Sequence, residues 1–287
     1  MIPFTRNSAS PRETPPECWD NPSLSIARRS SDPPAPGVRE PGHDHLLGKR
    51  LYTEIELCWD RVIPGPAATR AGQLRGALAT AFTDDDLFHQ HAANGQLLYR
   101  YPHVQYRWRA GRGLVIGWQA ATERLLRLPW LDLELCLGAA SAVRVADIRL
   151  TTRHAPFGIG ERLHHYRFVS PALLFNQRIY AAYRVMDTTE QRQAERNRLL
   201  IASLLIALRG LGVHFPERLY AIFTRCERVF CRYKRQELIG LQGEFVSNAV
   251  LPDGLGIGHA VSHGYGWITA IRSGETPNPT APPQIQG

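Results

Sequence analysis

Three residues in the first half of the chain could take part in proton transfer. They are His89 and His91, which are separated by one residue, and Tyr99. A histidine titrates near neutrality and can accept or donate a proton. The H-x-H spacing also occurs in zinc sites, but the sequence has no C-x-x-C pair or H-E-x-x-H motif to complete one. Taken alone, such a pair is more often structural than catalytic, so its role depends on the rest of the chain.

A second stretch of interest lies near the C-terminus, where five glycines fall between Gly254 and Gly266. Glycine tolerates positive φ and lets backbone approach a ligand, so such a run can present N–H groups to phosphate oxygens. Strand-like residues on both sides, 244–251 and 265–268, predict a loop between two extended segments. Because no helix follows, the loop lacks the geometry of a dinucleotide-binding or Walker loop. A nucleotide cofactor is therefore disfavoured as the ligand of this loop, whereas an RNA backbone is not.

The composition points to a basic protein of a reducing compartment. The net charge of +8 is carried by 32 arginines and only two lysines. Guanidinium groups suit phosphates and bases, although solvated charges in an arginine-rich proteome explain the same composition equally well. Five cysteines without C-x-x-C spacing argue against a disulfide or zinc framework and favour the cytoplasm. The longest apolar run, residues 199–208, is about half a membrane span, so it predicts a core helix and no membrane partner.

Hydrophobic periodicity predicts an α+β chain. Alternation from Leu51 to Cys58 predicts a strand, and Leu74 and Leu78 recur at helical spacing. This β-α-β-β-α-β order is that of a ferredoxin-like unit, which we place at residues 46–155. Its later elements are a helix at 118–128 and strands at 97–104, 114–116, 131–135 and 143–148.

The second half repeats this plan less regularly over residues 156–273. A strand at 162–169 precedes a helix expected to begin at Ala172, behind Pro171. Residues 187–190 predict the start of a second helix, which ends at Gly210 or Gly212. Three extended segments then lead to the glycine-rich loop: 213–223, 228–238 and 244–250.

The two ends of the chain and the strand near residue 104 have distinctive compositions. Residues 1–45 and 274–287 are rich in proline and predict a disordered tail and a flexible tail. The strand carries aromatic residues that fit either a base-stacking face or, more often, core packing. It also carries a basic run that is typical of a solvated edge and is well placed for phosphates. The aromatic residues are Tyr99, Tyr101, Tyr106 and Trp108, and the basic run consists of Arg107, Arg109 and Arg112.

Several motifs occur together in the order of one family. The spacing Gly-Ile-Gly, five residues, Gly-Tyr-Gly at 256–266 resembles the glycine-rich loop of the RAMP superfamily. That family usually places a Lys or Arg among the five residues, where this chain has only His259 and His263. The other motifs resemble the b subtype of the Cas-six-type CRISPR repeat endoribonucleases, over about residues 50–270. They are residues 74–76, 87–91, 99–106, 114–117, 168–171 and 245–248.

The resemblance implies an endoribonuclease that cleaves CRISPR precursor transcripts within the repeat, without a metal or other cofactor. In that family the 2′-hydroxyl attacks phosphorus and leaves a 2′,3′-cyclic phosphate. The matching positions make His91 the expected base, with Tyr99 or His89 as acid or orienting group. Two tandem ferredoxin-like units are implied, with RNA on a basic face and in the cleft between them. The expected RNA-binding residues are Arg75, Arg100, Gly256, Gly258, His259, Ser262, His263, Gly264 and Gly266.

Two other functions stay open at this level. A non-catalytic RAMP subunit that only binds guide RNA in an effector complex would carry the same loop, and the missing Lys or Arg favours it slightly. A metal-dependent nuclease is disfavoured, because only residues 84–86 form an acidic cluster. The expected partner is CRISPR repeat RNA, and other effector subunits or a second copy of the chain stay open as further partners.

Overall fold

The computed structural model describes residues 45–83, 85, 87–88, 101–138, 142–233 and 236–272. The predicted N-terminal tail therefore falls outside the described residues except for His45, which begins the first strand, and the C-terminal tail falls outside them entirely. The helices are α1 Ala67–Ala81, α2 Ala120–Leu126, α3 Gln177–Arg184 and α4 Thr189–Gly210. The strands are β1 His45–Trp59, β2 Val104–Arg109, β3 Arg112–Trp118, β4 Glu134–Leu135, β5 Val143–Phe168, β6 Ala221–Tyr233, β7 Gln236–Val250 and β8 Ile268–Ala270.

The long strand β5 joins the two halves of an antiparallel sheet with the order β2-β3-β1-β5-β7-β6. It pairs with β1 from Val145 to Ile159, and with β7 and β8 towards its end. The prediction of two separate strands at 143–148 and 162–169 is wrong. The chain forms one continuous strand instead, because the exposed residues 149–154 also pair with β1. The predicted unit boundary at residue 155 lies inside this strand.

The first half packs α1 and α2 on one face of the sheet. Leu74 and Leu78 of α1 are buried there as their spacing predicts. The helix expected from residue 118 begins only at Ala120, because Trp118 still pairs with Tyr52 of β1. The strand expected at 131–135 is a 3-10 turn followed by the two-residue β4. Buried Trp130 stabilises that turn, and its Nε1 donates to the Leu125 carbonyl (2.8 Å).

The second half differs from its prediction at two places. No helix begins at Ala172, because residues 172–173 are extended and Ala172 exchanges backbone hydrogen bonds with Leu241. Helix α3 begins instead after Asn176, whose side chain caps the N–H of Ile179 (2.8 Å). The three expected extended segments are two strands, β6 and β7. Helix α4 matches its prediction, with a capping box formed by Thr188 and Gln191.

One hydrophobic core joins both halves of the chain. It contains Trp118 from β3, Phe157 from β5, Leu200 from α4, and Leu255 and Ile257 from the glycine-rich loop. The loop is therefore part of the folded interior rather than an appendage. Within the described residues, no helix is long and apolar enough to cross a membrane.

Candidate nucleic-acid interface

The glycine-rich loop has two flanks, residues 254–258 and 264–267, that fold against each other. The N–H of Ile257 donates to the Gly266 carbonyl (2.8 Å), and that of Ile268 donates to the Leu255 carbonyl (3.0 Å). The N–H of Gly254 donates to Ile268, and that of Gly266 donates to Pro171. These N–H groups are therefore bonded within the protein, and the flanks are mostly buried.

Glycine is required in the flanks because of close backbone approach. At Gly266 φ is +68°, and a Cβ would lie 1.9 Å from the carbonyl oxygen of Ile257. At Gly258 φ is +98°, and a Cβ would lie 2.8 Å from the carbonyl oxygen of Leu173. An L side chain is disfavoured at such φ values and would also overlap main-chain atoms. The glycine spacing thus has a packing reason as well as the predicted RNA-binding one.

The apex of the loop, residues 259–263, contains two histidines, of which His263 is half-buried, and the buried Ser262. His259 is exposed, while its N–H donates to the Leu173 carbonyl (2.8 Å). Ala260 has a φ of +56°, and residues 261–263 form a 3-10 turn. The His263 ring lies edge-on to Tyr233 at 5.0 Å, and its Nδ1 lies 3.2 Å from the hydroxyl of Ser262.

Helix α1 packs beside this apex. At Gly72 the helix leaves room for the neighbouring ring, since a Cβ there would lie 3.8 Å from Cδ2 of His263. Arg75 follows three residues later, on the same face of the helix, and is half-buried. Burial raises the pKa of the Tyr106 hydroxyl above its ordinary value, and the positive charge of Arg75 opposes this. The fold therefore brings the predicted residues Arg75, Ser262 and His263 into one region.

The predicted catalytic residues His89, His91 and Tyr99, together with Arg100, lie outside the described residues, but the residues on both sides are fixed. Phe88 is buried, and its ring stacks on Phe82 with centroids 5.0 Å apart. The Tyr101 hydroxyl donates to the Gly256 carbonyl (2.9 Å), and burial raises the pKa of Tyr101 to about 12. One end of this segment is thus anchored in the core, and the other is anchored on the glycine-rich loop.

The aromatic residues near β2 form core rather than a base-stacking face. Tyr101, Tyr106 and Trp108 are all buried. The core-packing alternative is therefore correct for these three residues, and Tyr99 lies outside the described residues.

Arg107 is the residue whose environment was wrongly predicted. It is 2% exposed, with its guanidinium carbon 4.8 Å from the ring centroid of Trp267. Its Nη2 donates to the Gly254 carbonyl and to Oε1 of Gln105. Arg109 and Arg112 lie at the solvated edge as expected, where they pair with Glu54 and Glu56. The alternation of β2 places Gln105 and Arg107 on the face opposite Tyr106 and Trp108, but it gave no signal that this second face is buried too.

A cleft of about 240 Å³ opens where β1, β2 and β5 meet β8 and the first loop flank. Arg107 and Trp267 line it, together with Arg109, Glu54 and Arg153. Arg153 lies over the Tyr52 ring at 4.8 Å and donates to the Asp253 carbonyl (2.9 Å). The cleft therefore has charges of both signs. In the part of the chain that the structure describes, no group of three or more His, Cys, Asp or Glu side chains is arranged to hold a metal ion.

The sheet, its helices and the C-terminal glycine-rich loop define a protein of the RAMP type. The family models for the Cas6b N-terminal domain and the Cas6b C-terminal domain match residues 59–151 and 158–271. The chain belongs to the Cas6b family, as its motifs predict.

Solved structures show the same fold. A crystal structure of Cas6b is 24% identical with a TM-score of 0.70, and the match covers 78% of this chain and all of that one. A crystal structure described as CRISPR RNA processing endoribonuclease Cas6b is 22% identical with a TM-score of 0.60, over 77% of this chain and all of that one. These likenesses confirm the predicted fold class, an α+β chain of two tandem ferredoxin-like units.

A curated relative is also similar. An uncharacterized protein of Methanocaldococcus jannaschii is 29% identical over 128 residues, which is 45% of this chain and 86% of that protein.

Proposed function

We propose that this protein is an endoribonuclease that cleaves CRISPR precursor RNA within the repeat, without a metal ion, to yield guide RNA. The observation that carries the proposal is the hydrogen bond from Tyr101 to Gly256. It ties the chain immediately after the H-x-H and tyrosine motif to the glycine-rich loop. Membership of the Cas6b family supports the proposal, since a solved relative is described as a CRISPR RNA processing endoribonuclease.

The proposed reaction uses the RNA's own 2′-hydroxyl as nucleophile. His91 removes the proton from that hydroxyl, and the oxygen attacks the adjacent phosphorus. Tyr99 or His89 donates a proton to the departing 5′-oxygen or orients the phosphate. The products are a 2′,3′-cyclic phosphate and a free 5′-hydroxyl, so atoms and protons balance without a metal-bound water.

The RNA backbone is held by α1 and the loop apex in this proposal. Arg75 and Arg100 supply fixed positive charge, and His259 and His263 donate hydrogen bonds to phosphate oxygens. The buried Ser262 supports the His263 ring, because its hydroxyl lies 3.2 Å from Nδ1 of that histidine. Gly256, Gly258, Gly264 and Gly266 shape the loop so that its apex faces the RNA. The repeat RNA is the proposed partner, and further effector subunits or a second copy of the chain are compatible with it.

The direct test is cleavage of repeat RNA in EDTA. We expect cleavage with a cyclic phosphate product, and survival of a substrate with a 2′-deoxy sugar at the cut. His91→Ala should lower the single-turnover rate constant by about 10²–10⁴-fold with little change in RNA affinity. His154→Ala, at an exposed position of β5, is the matched control and should keep the wild-type rate.

The competing function is a subunit that binds guide RNA without cutting it. The observation that favours it is the absence of Lys and Arg from the loop apex. Tight binding of repeat RNA without cleavage, with or without Mg²⁺, would establish this function. Activity that EDTA abolishes and Mg²⁺ restores would contradict the metal-independent mechanism.

A further inference from the structure

Gln105 and Arg107 of β2 are long polar side chains in the protein interior. They are 0% and 2% exposed. Tyr106 and Trp108 point into the core beneath α1, so the strand's alternation directs Gln105 and Arg107 to the opposite face, against the first loop flank. Moving a guanidinium out of water costs free energy unless it is well paired.

The hydrogen-bond partners of Arg107 are uncharged groups. Its Nη2 donates to the Gly254 carbonyl and to Oε1 of Gln105 (3.1 Å), and its guanidinium stacks over Trp267. Within the described residues, no ion pair joins it to a carboxylate, and its buried Nε has no acceptor. Burial lowers the pKa of the guanidinium. An apolar side chain of similar volume would avoid this desolvation cost, so stability alone does not explain an arginine here.

The hydrogen bonds continue from Gln105 to the edge of the predicted catalytic segment. Gln105 Nε2 donates to the Tyr101 hydroxyl (3.0 Å), which donates to the Gly256 carbonyl (2.9 Å). Two carbonyls of one loop flank, at Gly254 and Gly256, thus accept from Arg107 and Tyr101, and Gln105 links these two donors. Tyr101 is the second residue after Tyr99.

We propose that Tyr101, Gln105 and Arg107 are positioning residues for RNA cleavage. They hold the first loop flank against β2, so that the proposed RNA-binding apex keeps one position relative to Tyr101, the second residue after Tyr99. This inference rests on the proposed function. Because all three side chains are buried, they set the geometry of the reacting groups rather than the affinity for RNA. A misplacement of about 1 Å can cost about 10²-fold in rate.

The test compares single-turnover cleavage with RNA affinity in three variants. Tyr101→Phe removes one hydroxyl, Arg107→Met removes the guanidinium at similar volume, and Arg107→Lys keeps a donor for the Gly254 carbonyl. We expect Tyr101→Phe and Arg107→Met to lower the rate constant by about 10- to 100-fold, with the RNA Kd within about twofold of wild type. Arg107→Lys should recover part of the rate. The pH–rate profile should keep its shape, because no proton-transfer group is removed.

Arg109→Met is the control, because Arg109 lies on the same strand two residues further on and pairs with Glu54 at the surface. It should keep the wild-type rate. If Arg107→Met does not fold, Tyr101→Phe decides the question, since it deletes a single oxygen atom.

Three results would overturn the inference. The first is a wild-type rate in folded Tyr101→Phe, and the second is a loss of affinity as large as the loss of rate. The third is a displaced alkaline limb in the pH profile of Tyr101→Phe, which would make Tyr101 itself the proton donor. A wild-type protein that binds repeat RNA without cleaving it would overturn the proposed function as well. An active wild type with unaffected variants would overturn this inference alone.

Discussion

The flanks and the apex of the glycine-rich loop share one stretch of sequence but differ in what their backbone and side chains do. In the flanks, Gly254 and Gly266 donate their N–H groups to protein carbonyls, and Leu255 and Ile257 are buried in the shared core. At the apex, His259 is exposed. The comparison teaches that glycine density alone does not locate a ligand site, because all five glycines lie in the packed flanks, while the apex with the exposed His259 contains none.

The largest effect should come from a methyl group in a flank. In Gly266→Ala the Cβ would meet the Ile257 carbonyl oxygen at 1.9 Å, at a φ of +68°. We expect the free energy of unfolding to fall by about 2–5 kcal/mol, from backbone strain and overpacking together. Thermal unfolding followed by circular dichroism measures this change. Gly76→Ala in α1 is the control, because its Cβ meets open space, and it should be neutral or stabilising by up to about 1 kcal/mol. If Gly266→Ala melts at the same temperature as the wild-type protein, the proposed packing role of this flank is wrong.

The buried tyrosines should also lower the free energy of unfolding at alkaline pH. Burial raises the pKa of Tyr101 to about 12 and raises that of Tyr52 above its usual range. Above about pH 10 the unfolded chain loses tyrosine protons that the folded protein retains, so the free energy of unfolding falls as pH rises. Tyr101→Phe should reduce this slope by about one proton between about pH 10 and 12. Urea unfolding at several pH values measures the slope, and an unchanged slope would show that the hydroxyl is not held neutral by the fold.

The smallest effect should come from the apex. His259→Arg should tighten RNA binding and His259→Ala should weaken it, each by about two- to fivefold, because an exposed ionic contact contributes about 0.5–1 kcal/mol. Stability should change by less than about 0.5 kcal/mol in both variants. The measurement is the RNA Kd at fixed salt, with His214→Arg at another exposed position as the control. If both substitutions at His259 leave the Kd unchanged, the apex does not contact RNA.

The elements predicted well are those whose signals are local. Helix α1 follows from the spacing of Leu74 and Leu78, and α4 begins at a capping box that is visible in the sequence. The sequence could not predict that β5 is one continuous strand, because exposed residues 149–154 interrupt the apolar pattern while pairing with β1 continues. The helix expected at Ala172 failed for a related reason, since a bridge to Leu241 holds that segment extended.

The sequence by itself determined the family, through the glycine spacing and several motifs in order, and it named Arg75, Ser262 and His263 among the expected RNA-binding residues. Only the tertiary structure decided which part of the loop faces outwards and that Arg107 lies inside the protein. The physical reason is that burial of a charge depends on where its acceptors come from. The Gly254 carbonyl that receives the Arg107 guanidinium lies 147 positions away in the chain. The sequence of a basic strand is the same whether its arginines donate hydrogen bonds to solvent or to a distant backbone. Packing of the loop against β2 determines which of the two accepts from Arg107.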